Sequence, residues 1–484
     1  MGILSNLKGV ISAMFNKTDV TKQFGITVPQ GDLMTSKLTL WGDLYTNSST
    51  NLAAVIASEA ARLVTNDMNI SVSGGIRAET ISNIVSYNRD CFRNKLELGC
   101  VYGGLMIKPN GLGLDFIPPS KYTITSYDDN HRVDGCIFED DLTINNLYYT
   151  RLEYHHFVRD DLGNVKYVIE NKCYESNNNN TLGHEVPLSR VAKWSALLAK
   201  IEFDNISKPL FGYFKMPSAN NIDINSPLGV SIFSRSVDAI RDFDMWYSKW
   251  RHEGLTSDKV LFINSQSMTQ PGATGKDRFR TVNPLPNLVK GLEFGQGATR
   301  NIEEWVPDIR VEEFKLAMQT QLDLISVQCG FSSGYFSFDA RTGSVTATQV
   351  ESEDQRTYST CTDIQVNYKN AIEDALYALD VFISLYTELP VEKLDFSIYM
   401  KDLFVNVNEE RSRAYQLSKD KYIPKWKYLV DYEGYTEEEA KRLVAEAESV
   451  DNSNNINAQS AKDDKRIVAD DESVDNSSNN INAQ

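Results

Sequence analysis

The sequence predicts an α+β fold, and three observations carry that reading. Residues 101 to about 215 alternate short β-prone runs with turn signals, the pattern of an antiparallel meander. Two helical stripes, 226–253 and about 309–329, flank an insert rich in Pro and Gly. A third helical pattern, about 346–386, contains neither Pro nor Gly and outruns the usual globular helix. The 484 residues suggest about three folding units. A hydrophobic content of 41%, with 23 Tyr, 21 Phe and 6 Trp, supplies large cores and excludes wholesale disorder.

Taken in order, Ile3, Leu7, Val10, Ile11 and Met14 recur at helical spacing, giving a short amphipathic helix. Asn6 and Lys8 interrupt any secretory core, Asn6 breaks the myristoylation pattern, and the flanks are not basic. Docking on the protein's own body or on a partner subunit is therefore expected, not membrane binding. No apolar run approaches the roughly 18 residues of a membrane span. Residues 1–70 read as helices with polar breaks, and 78–99 as one helix with Ile81, Ile84, Val85, Cys91, Phe92 and Leu96 on its apolar face. The meander follows, with Asn177–Asn180 as a polar loop.

In the first stripe Ser226 is the expected N-cap, Pro227 the first helical residue and Gly254 the C′ residue. Residues 255–308 hold six acids and six bases and read as short β-prone or loop segments. The second stripe runs through Val311, Phe314, Met318, Leu322, Ile325 and Cys329, with Gly330 as its stop. An aromatic, small-residue loop comes next, FSSGYFSFDARTGS, before the long helix, which ends ahead of Pro390. Residues 422–447 are helical, with a second helix starting at a capping box on Thr436. ESVDNSNNINAQ at 448–459 returns as ESVDNSSNNINAQ at 472–484, and 445–484 hold nine acids against three bases, a disordered acidic tail.

The chemistry is sparse. The 66 acids outweigh 49 bases for a net charge of −17, which argues against a phosphate grip over the whole surface but leaves room for a small local basic patch. Cys91, Cys100, Cys136, Cys173, Cys329 and Cys361 form no C-x-x-C pair, as buried thiols of a reducing compartment would. His155-His156 sits in a strand-like run, so its rings point to opposite faces and do not share a metal. Residues 270–277 lack the first glycine and the Ser or Thr of a phosphate loop. Gly111 and Gly113 lack the third glycine of a dinucleotide site. Asp308, Glu313 and Lys315 resemble a restriction-type nuclease fragment, but the spacing between Asp308 and Glu313 is too short for adjacent strands, and Glu312, Glu313 and Lys315 read as a solvated helix face. The expectation is a protein that is not an enzyme, with no cofactor and no metal.

The order helix, insert, helix, aromatic loop, long helix resembles the portal proteins of tailed bacteriophages, of the type found in long-tailed phages of Gram-positive hosts. The resemblance covers roughly residues 30–447. It rests on Leu40-Trp41-Gly42-Asp43-Leu44-Tyr45, on Gly103 to Pro109 with Asp134-Gly135, and on Ser226-Pro227-Leu228-Gly229. It rests most specifically on Arg310 to Phe314, Gly330-Phe331, Phe336-Ser337-Phe338-Asp339 and Thr346 to Glu353.

The resemblance implies an antiparallel β-rich wing with N-terminal helices over 1–225 and stem helices at 226–254 and 309–330. It implies a small α/β clip at 255–308, a tunnel loop at 331–345, a long wing helix with a return strand at 346–419, and a helical crown at 420–447 ahead of the tail at 448–484. The implied function is a dodecameric ring at the capsid vertex of the virion, assembled in the host cytoplasm, through which double-stranded DNA is packaged and ejected. Implied partners are terminase, scaffolding and major capsid proteins and a head–tail adaptor. Tyr335, Phe336, Phe338, Asp339, Arg341 and Thr342 would face the DNA channel, with burial of the aromatics as the alternative. Lys276, Arg278, Arg280 and Glu293 would dock terminase and connector. An acid-rich channel repels a sliding duplex instead of gripping it. The competing readings are a tail or baseplate structural protein and a metal-dependent nuclease.

Overall fold

The computed structural model describes residues 17–26, 32–111, 113–128, 130, 132–159, 165–264, 289–292, 302–306, 308–338, 347–387, 394–400 and 407–447. The N-terminal amphipathic segment, residues 270–277 and the repeat tail lie outside them. So do Lys276, Arg278, Arg280, Glu293, Asp339, Arg341 and Thr342. The chain divides into two compact units, Met1–Lys401 and Asp402–Gln484. Among the described residues, no helix is long and apolar enough to cross a membrane.

The first unit opens with helices α1 (Lys17–Lys22), α2 (Asp32–Asn47) and α3 (Leu52–Val64), then strand β1 (Asn69–Ser73). Helix α3 has a smooth apolar face, Ala53, Ala57, Ala60 and Ala61, all fully buried. The helix expected over 78–99 is two helices, α4 (Arg77–Tyr87) and α5 (Arg89–Tyr102). Asn88 divides them: its backbone leaves the helical region, φ −91° and ψ 5°, while both its N–H, at 3.1 Å, and its side-chain amide, at 2.8 Å, donate to the Ile84 carbonyl and close the first helix.

The meander is antiparallel, as its alternation predicts, and forms two sheets. Strand β2 (Gly104–Pro109) pairs with β3 (Leu114–Ile117) and with β10 (Gly212–Lys215). The larger sheet runs β4 (Tyr122–Tyr127), β5 (Val133–Ile144), β6 (Leu147–Arg159), β7 (Val165–Ser176) and β8 (His184–Val186), with β9 (Lys200–Asp204) also on β7. Asn145 and Asn146 both take positive φ, 50° and 59°, and close the β5–β6 hairpin at the pair Ile144–Leu147. Asn tolerates this left-handed backbone better than most residues, and the turn matches the twist of the strands.

Helix α6 runs Val237–Thr256, β11 is Val260–Asn264, β12 Val289–Leu292, β13 Ile302–Trp305, and α7 Val311–Gln328. Strand β11 pairs parallel with β12 and antiparallel with β13. The expected start at Ser226 and stop at Gly254 are both corrected. Residues 226–236 are not helical, although Val230 and Phe233 fit the helical period. They are buried in the core instead, where the Ile232 N–H donates to the Cys100 carbonyl at 3.0 Å. Gly254 lies inside the helix, on open surface.

Helix α8 (Ala347–Thr387) spans 41 residues. Ile364, Tyr368, Ala371, Ile372, Ala375, Leu376 and Leu379 are buried along it, and Ala378 and Val381 join Tyr167, Ile169, Phe203 and Leu210 in one cluster against the large sheet. Gly212 of β10 approaches α8 so closely that a Cβ there would lie 1.9 Å from the Ala371 carbonyl oxygen, so only glycine fits. The Tyr368 hydroxyl donates to the Phe92 carbonyl at 2.8 Å. Strand β14 (Asp395–Tyr399) then pairs antiparallel with β1.

The second unit contains α9 (Val407–Lys419), α10 (Lys425–Glu433) and a further helix over 437–447. Its start at 402 precedes the expected 420. Arg411 of α9 binds both carboxylate oxygens of Glu433 at 2.7 Å, which ties α9 to α10. The capping box is present. Thr436 Oγ1 donates to Glu439 at 2.8 Å, and the Glu439 N–H returns to Thr436 at 3.4 Å.

Candidate functional site

The aromatic loop is the one sequence-predicted site that the structure describes, and a helix hairpin positions it. Helices α6 and α7 run antiparallel. At one end Arg310 grips Glu253, with its guanidinium 2.7 Å from Oε2 and its own N–H 3.1 Å from Oε1. At the other end Ser236 Oγ lies 3.3 Å from Cys329 Sγ. Phe314, Met318, Leu322, Ile325 and Cys329 are buried along α7 as predicted, whereas Val311 is exposed. They face Val237, Ile240 and Phe243, with Trp246 edge-on to Phe314 at 6.2 Å. Burial pushes the Cys329 thiol up to about 12, so it is an inert core group.

Gly330 ends α7 in a left-handed conformation, φ 87°. The Phe331 N–H donates to the Ser326 carbonyl at 2.9 Å and the Gly330 N–H to Val327 at 3.3 Å, the double bond of a Schellman cap. The chain then lies across the start of α8. Thr360 Oγ1 donates to the Gly330 carbonyl at 2.8 Å, Arg356 to the Val327 carbonyl at 2.8 Å, and the Ser332 N–H to Thr357 Oγ1 at 2.8 Å.

Phe331 is buried, and its ring centroid lies 5.1 Å from those of Tyr335 and Phe336. The Tyr335 hydroxyl donates to Glu59 of α3. Glu59 is held below its ordinary range first by the Arg62 fork, at 2.7 and 2.6 Å, and the Tyr335 bond adds to that. Burial, then the Glu59 hydrogen bond, raises the Tyr335 phenol. Tyr335 and Phe336 are therefore anchors. Phe338 differs: it is 54% exposed, stacks on Phe243 at 6.2 Å, and its N–H donates to Gln319 at 3.2 Å.

Beside the Glu253–Arg310 clamp lies a cavity of about 780 Å³ lined by Trp246, Lys249, His252, Trp305, Asp308 and Phe314, among others. Glu313 and Lys315 do not line it, so the nuclease-like residues are not gathered. Glu312 and Glu313 are exposed on α7. Among the described residues, no group of three or more His, Cys, Asp or Glu could hold a metal.

The densest polar cluster is sealed inside the large sheet. Glu153 meets Lys108, Arg151 at 2.9 Å and His155 Nε2 at 2.8 Å, and His155 Nδ1 lies 2.8 Å from the Tyr167 hydroxyl. The ionised Glu153 carboxylate can only accept, so the proton of a neutral His155 sits on Nε2 and Tyr167, which accepts from the Leu210 N–H at 3.0 Å, donates to Nδ1. Burial by itself would raise Glu153, but Lys108, His155 and Arg151 together hold it well below the carboxylate range. Burial lowers His155 despite Glu153. Tyr167 is fully buried, so this Glu–His–Tyr chain has no access for a substrate. His156 points away and stacks on Tyr154 at 4.0 Å.

Sequence reading missed Glu59, which lies 276 residues from Tyr335 and carries no local signal. It also missed a basic stretch at 411–428, which a windowed charge count reveals.

The sequence matches no family model and no curated protein. One solved chain, from the neck of a native GTA particle computed with C12 symmetry, overlays with a TM-score of 0.37 at 10% identity. The overlay covers 86% of this chain and 98% of that one. A likeness that loose carries no argument about fold or function.

Proposed function

We propose that the chain is a tailed-phage portal subunit, a non-enzymatic component of a dodecameric ring through which double-stranded DNA is packaged and ejected. One observation carries the reading. An antiparallel helix pair is interrupted at its Glu253–Arg310 end by a strand-built insert, and its other end passes through a strapped aromatic loop directly into a 41-residue helix. In this reading the sheets and N-terminal helices form the wing, α6 and α7 the stem, the insert the clip, and the second unit the crown. The clip, with Lys276, Arg278, Arg280 and Glu293, docks terminase and later the head–tail adaptor. Tyr335 and Phe336 hold the tunnel loop while Phe338, Asp339, Arg341 and Thr342 reach the DNA. The hairpin also exposes Met245, Leu316 and Leu324, an apolar face of the kind a neighbouring subunit covers. Scaffolding and major capsid proteins would recruit the ring to the capsid vertex in the host cytoplasm.

Negative-stain microscopy of purified protein tests this: closed rings with a central hole are expected. A small closed oligomer of other symmetry, or location at the tail tip, would overturn the reading. Deleting residues 338–342 spares the Phe331–Tyr335–Phe336 anchor, so rings should persist while DNA packaging or retention fails. Loss of rings on that deletion would make the loop structural instead.

A further inference from the structure

The second unit is acidic like the rest of the chain, with 18 acids against 11 bases, but one stretch of it runs the other way. Between residues 411 and 428 stand Arg411, Arg413, Lys419, Lys421, Lys425 and Lys427 against one acid, Asp420, a net of 6 − 1 = +5 in a chain of −17. Arg411 is spent on Glu433. The four lysines are exposed and make no ion pair among the described residues, whereas Lys441 and Arg442 nearby are paired with Glu437 and Glu446.

The backbone gathers these lysines at one turn. Lys419 ends α9, and Lys421 sits in the turn with φ 66°, fixed by the Tyr422 N–H donating to the Leu417 carbonyl at 2.9 Å. Lys425 and Lys427 occupy the first turn of α10, which contains no acid. Cations are disfavoured there by the helix dipole, so helix stability does not explain them. The same dipole adds to their attraction for an anion.

The nearby rings are mostly used within the protein. Lys441 lies over Trp426 at 4.8 Å, and Tyr428 contacts Tyr415 at 5.7 Å and Tyr432 at 5.6 Å. Bases of a single strand would need such rings free for stacking. Tyr422 in the turn is open, 80% exposed, but one open ring among four solvent-facing ammonium groups fits a phosphate backbone better than a row of stacked bases.

We infer that the turn bearing Lys419, Lys421, Lys425 and Lys427 docks the phosphates of duplex DNA without reading its sequence. This deepens the portal reading, from which the identity of the polyanion is taken.

The test measures anisotropy of a mixed-sequence duplex of about 30 base pairs with the full chain and with the variant Lys419→Gln/Lys421→Gln/Lys425→Gln/Lys427→Gln. Four lysine–phosphate contacts give a log–log salt slope of about −3.6, so raising salt from about 50 to about 200 mM weakens binding on the order of a hundredfold. The variant should lose that dependence. Glutamine is no worse than lysine in a helix, so circular dichroism should be unchanged. An unaltered salt slope in the variant overturns the inference, as does tighter binding to single strands or to anionic phosphatidylserine vesicles than to the duplex. Imaging the same samples separates the two readings. Rings with an unaltered slope overturn this inference alone. Lysine-dependent duplex binding by a protein that forms no rings supports it and overturns the portal.

Discussion

The large sheet and the helix hairpin are built on opposite economies. The sheet encloses charge: Lys108, Arg151, Glu153 and His155 sit among buried Tyr167, Phe138 and Phe211, with Glu153 answered by Lys108, Arg151 and His155 together. The hairpin leaves apolar surface outside, with Leu316 70% and Leu255 69% exposed, and the Arg310 side of its clamp open to solvent over a half-buried Glu253. A network of buried ions tolerates no missing member, because each survivor is left desolvated. An exposed apolar face costs nothing internally and gains only when something covers it. The sheet is therefore self-sufficient, whereas the hairpin keeps apolar surface that, in the reading proposed above, a neighbouring subunit covers.

The largest test of this contrast is Glu153→Ala. It leaves Lys108 buried without a counter-charge and Arg151 with Asp140 alone at 3.7 Å, and a loss of about 3–5 kcal/mol is expected in urea unfolding. A loss under about 1 kcal/mol would mean that water reaches the network, and the contrast would break.

Acid titration comes next. The folded pKa of His155 is lowered by burial, so below its ordinary 6.5 the unfolded chain binds the proton first. Stability then falls as pH drops from about 7 towards 5, and half-buried His156 shifts the same way. Glu153, lowered in the fold, adds a second loss as pH passes down through its ordinary 4.5. Lys108, Arg151 and Tyr167 face the same imidazole, and the two cations oppose its protonation. His155→Gln should flatten the upper part of the curve, measured by urea midpoints at stepped pH. In the hairpin the Arg310 hydrogen bond lowers Glu253, and that share is lost in the carboxylate range. An unchanged upper limb in His155→Gln would remove the histidine from the account.

How much of this was legible follows from the range of each determinant. The meander, the 41-residue helix, the stripe on α7 and the Thr436 capping box are written in local period and local chemistry, and they appear where the sequence puts them. The start of α6 is not local. Val230 and Phe233 fit a helix and a buried segment of turns equally well, and Cys100, more than a hundred residues away, decides between them. Asn88 ends a helix by leaving helical backbone angles while capping Ile84 with main chain and side chain alike, which hydrophobic period ignores. Of the candidate site, the aromatics were visible, but their division into anchors and an exposed ring depends on Glu59 and Gln319. The basic turn was hidden by summing charge over the whole chain instead of along it.

The smallest effect belongs to the junction between the two regions. Gly330 holds φ 87°, and a Cβ there would lie 2.7 Å from Thr360 Oγ1 and 2.9 Å from its Cγ2. Gly330→Ala therefore meets two penalties. An L-residue in the left-handed region costs about 1–2 kcal/mol. Thr360 must also turn from the Gly330 carbonyl it bonds, which forfeits about 1 kcal/mol. The change sits at the strap, not in the sheet, so its consequence should be local. Amide exchange at Phe331 and Ser332 should quicken while that of Tyr167 and Ile169 holds, because the strap's bonds to Ser326 and Thr357 open without the sheet. Equal quickening in both places would show one cooperative unit, and sheet and hairpin would then share a single stability through α8.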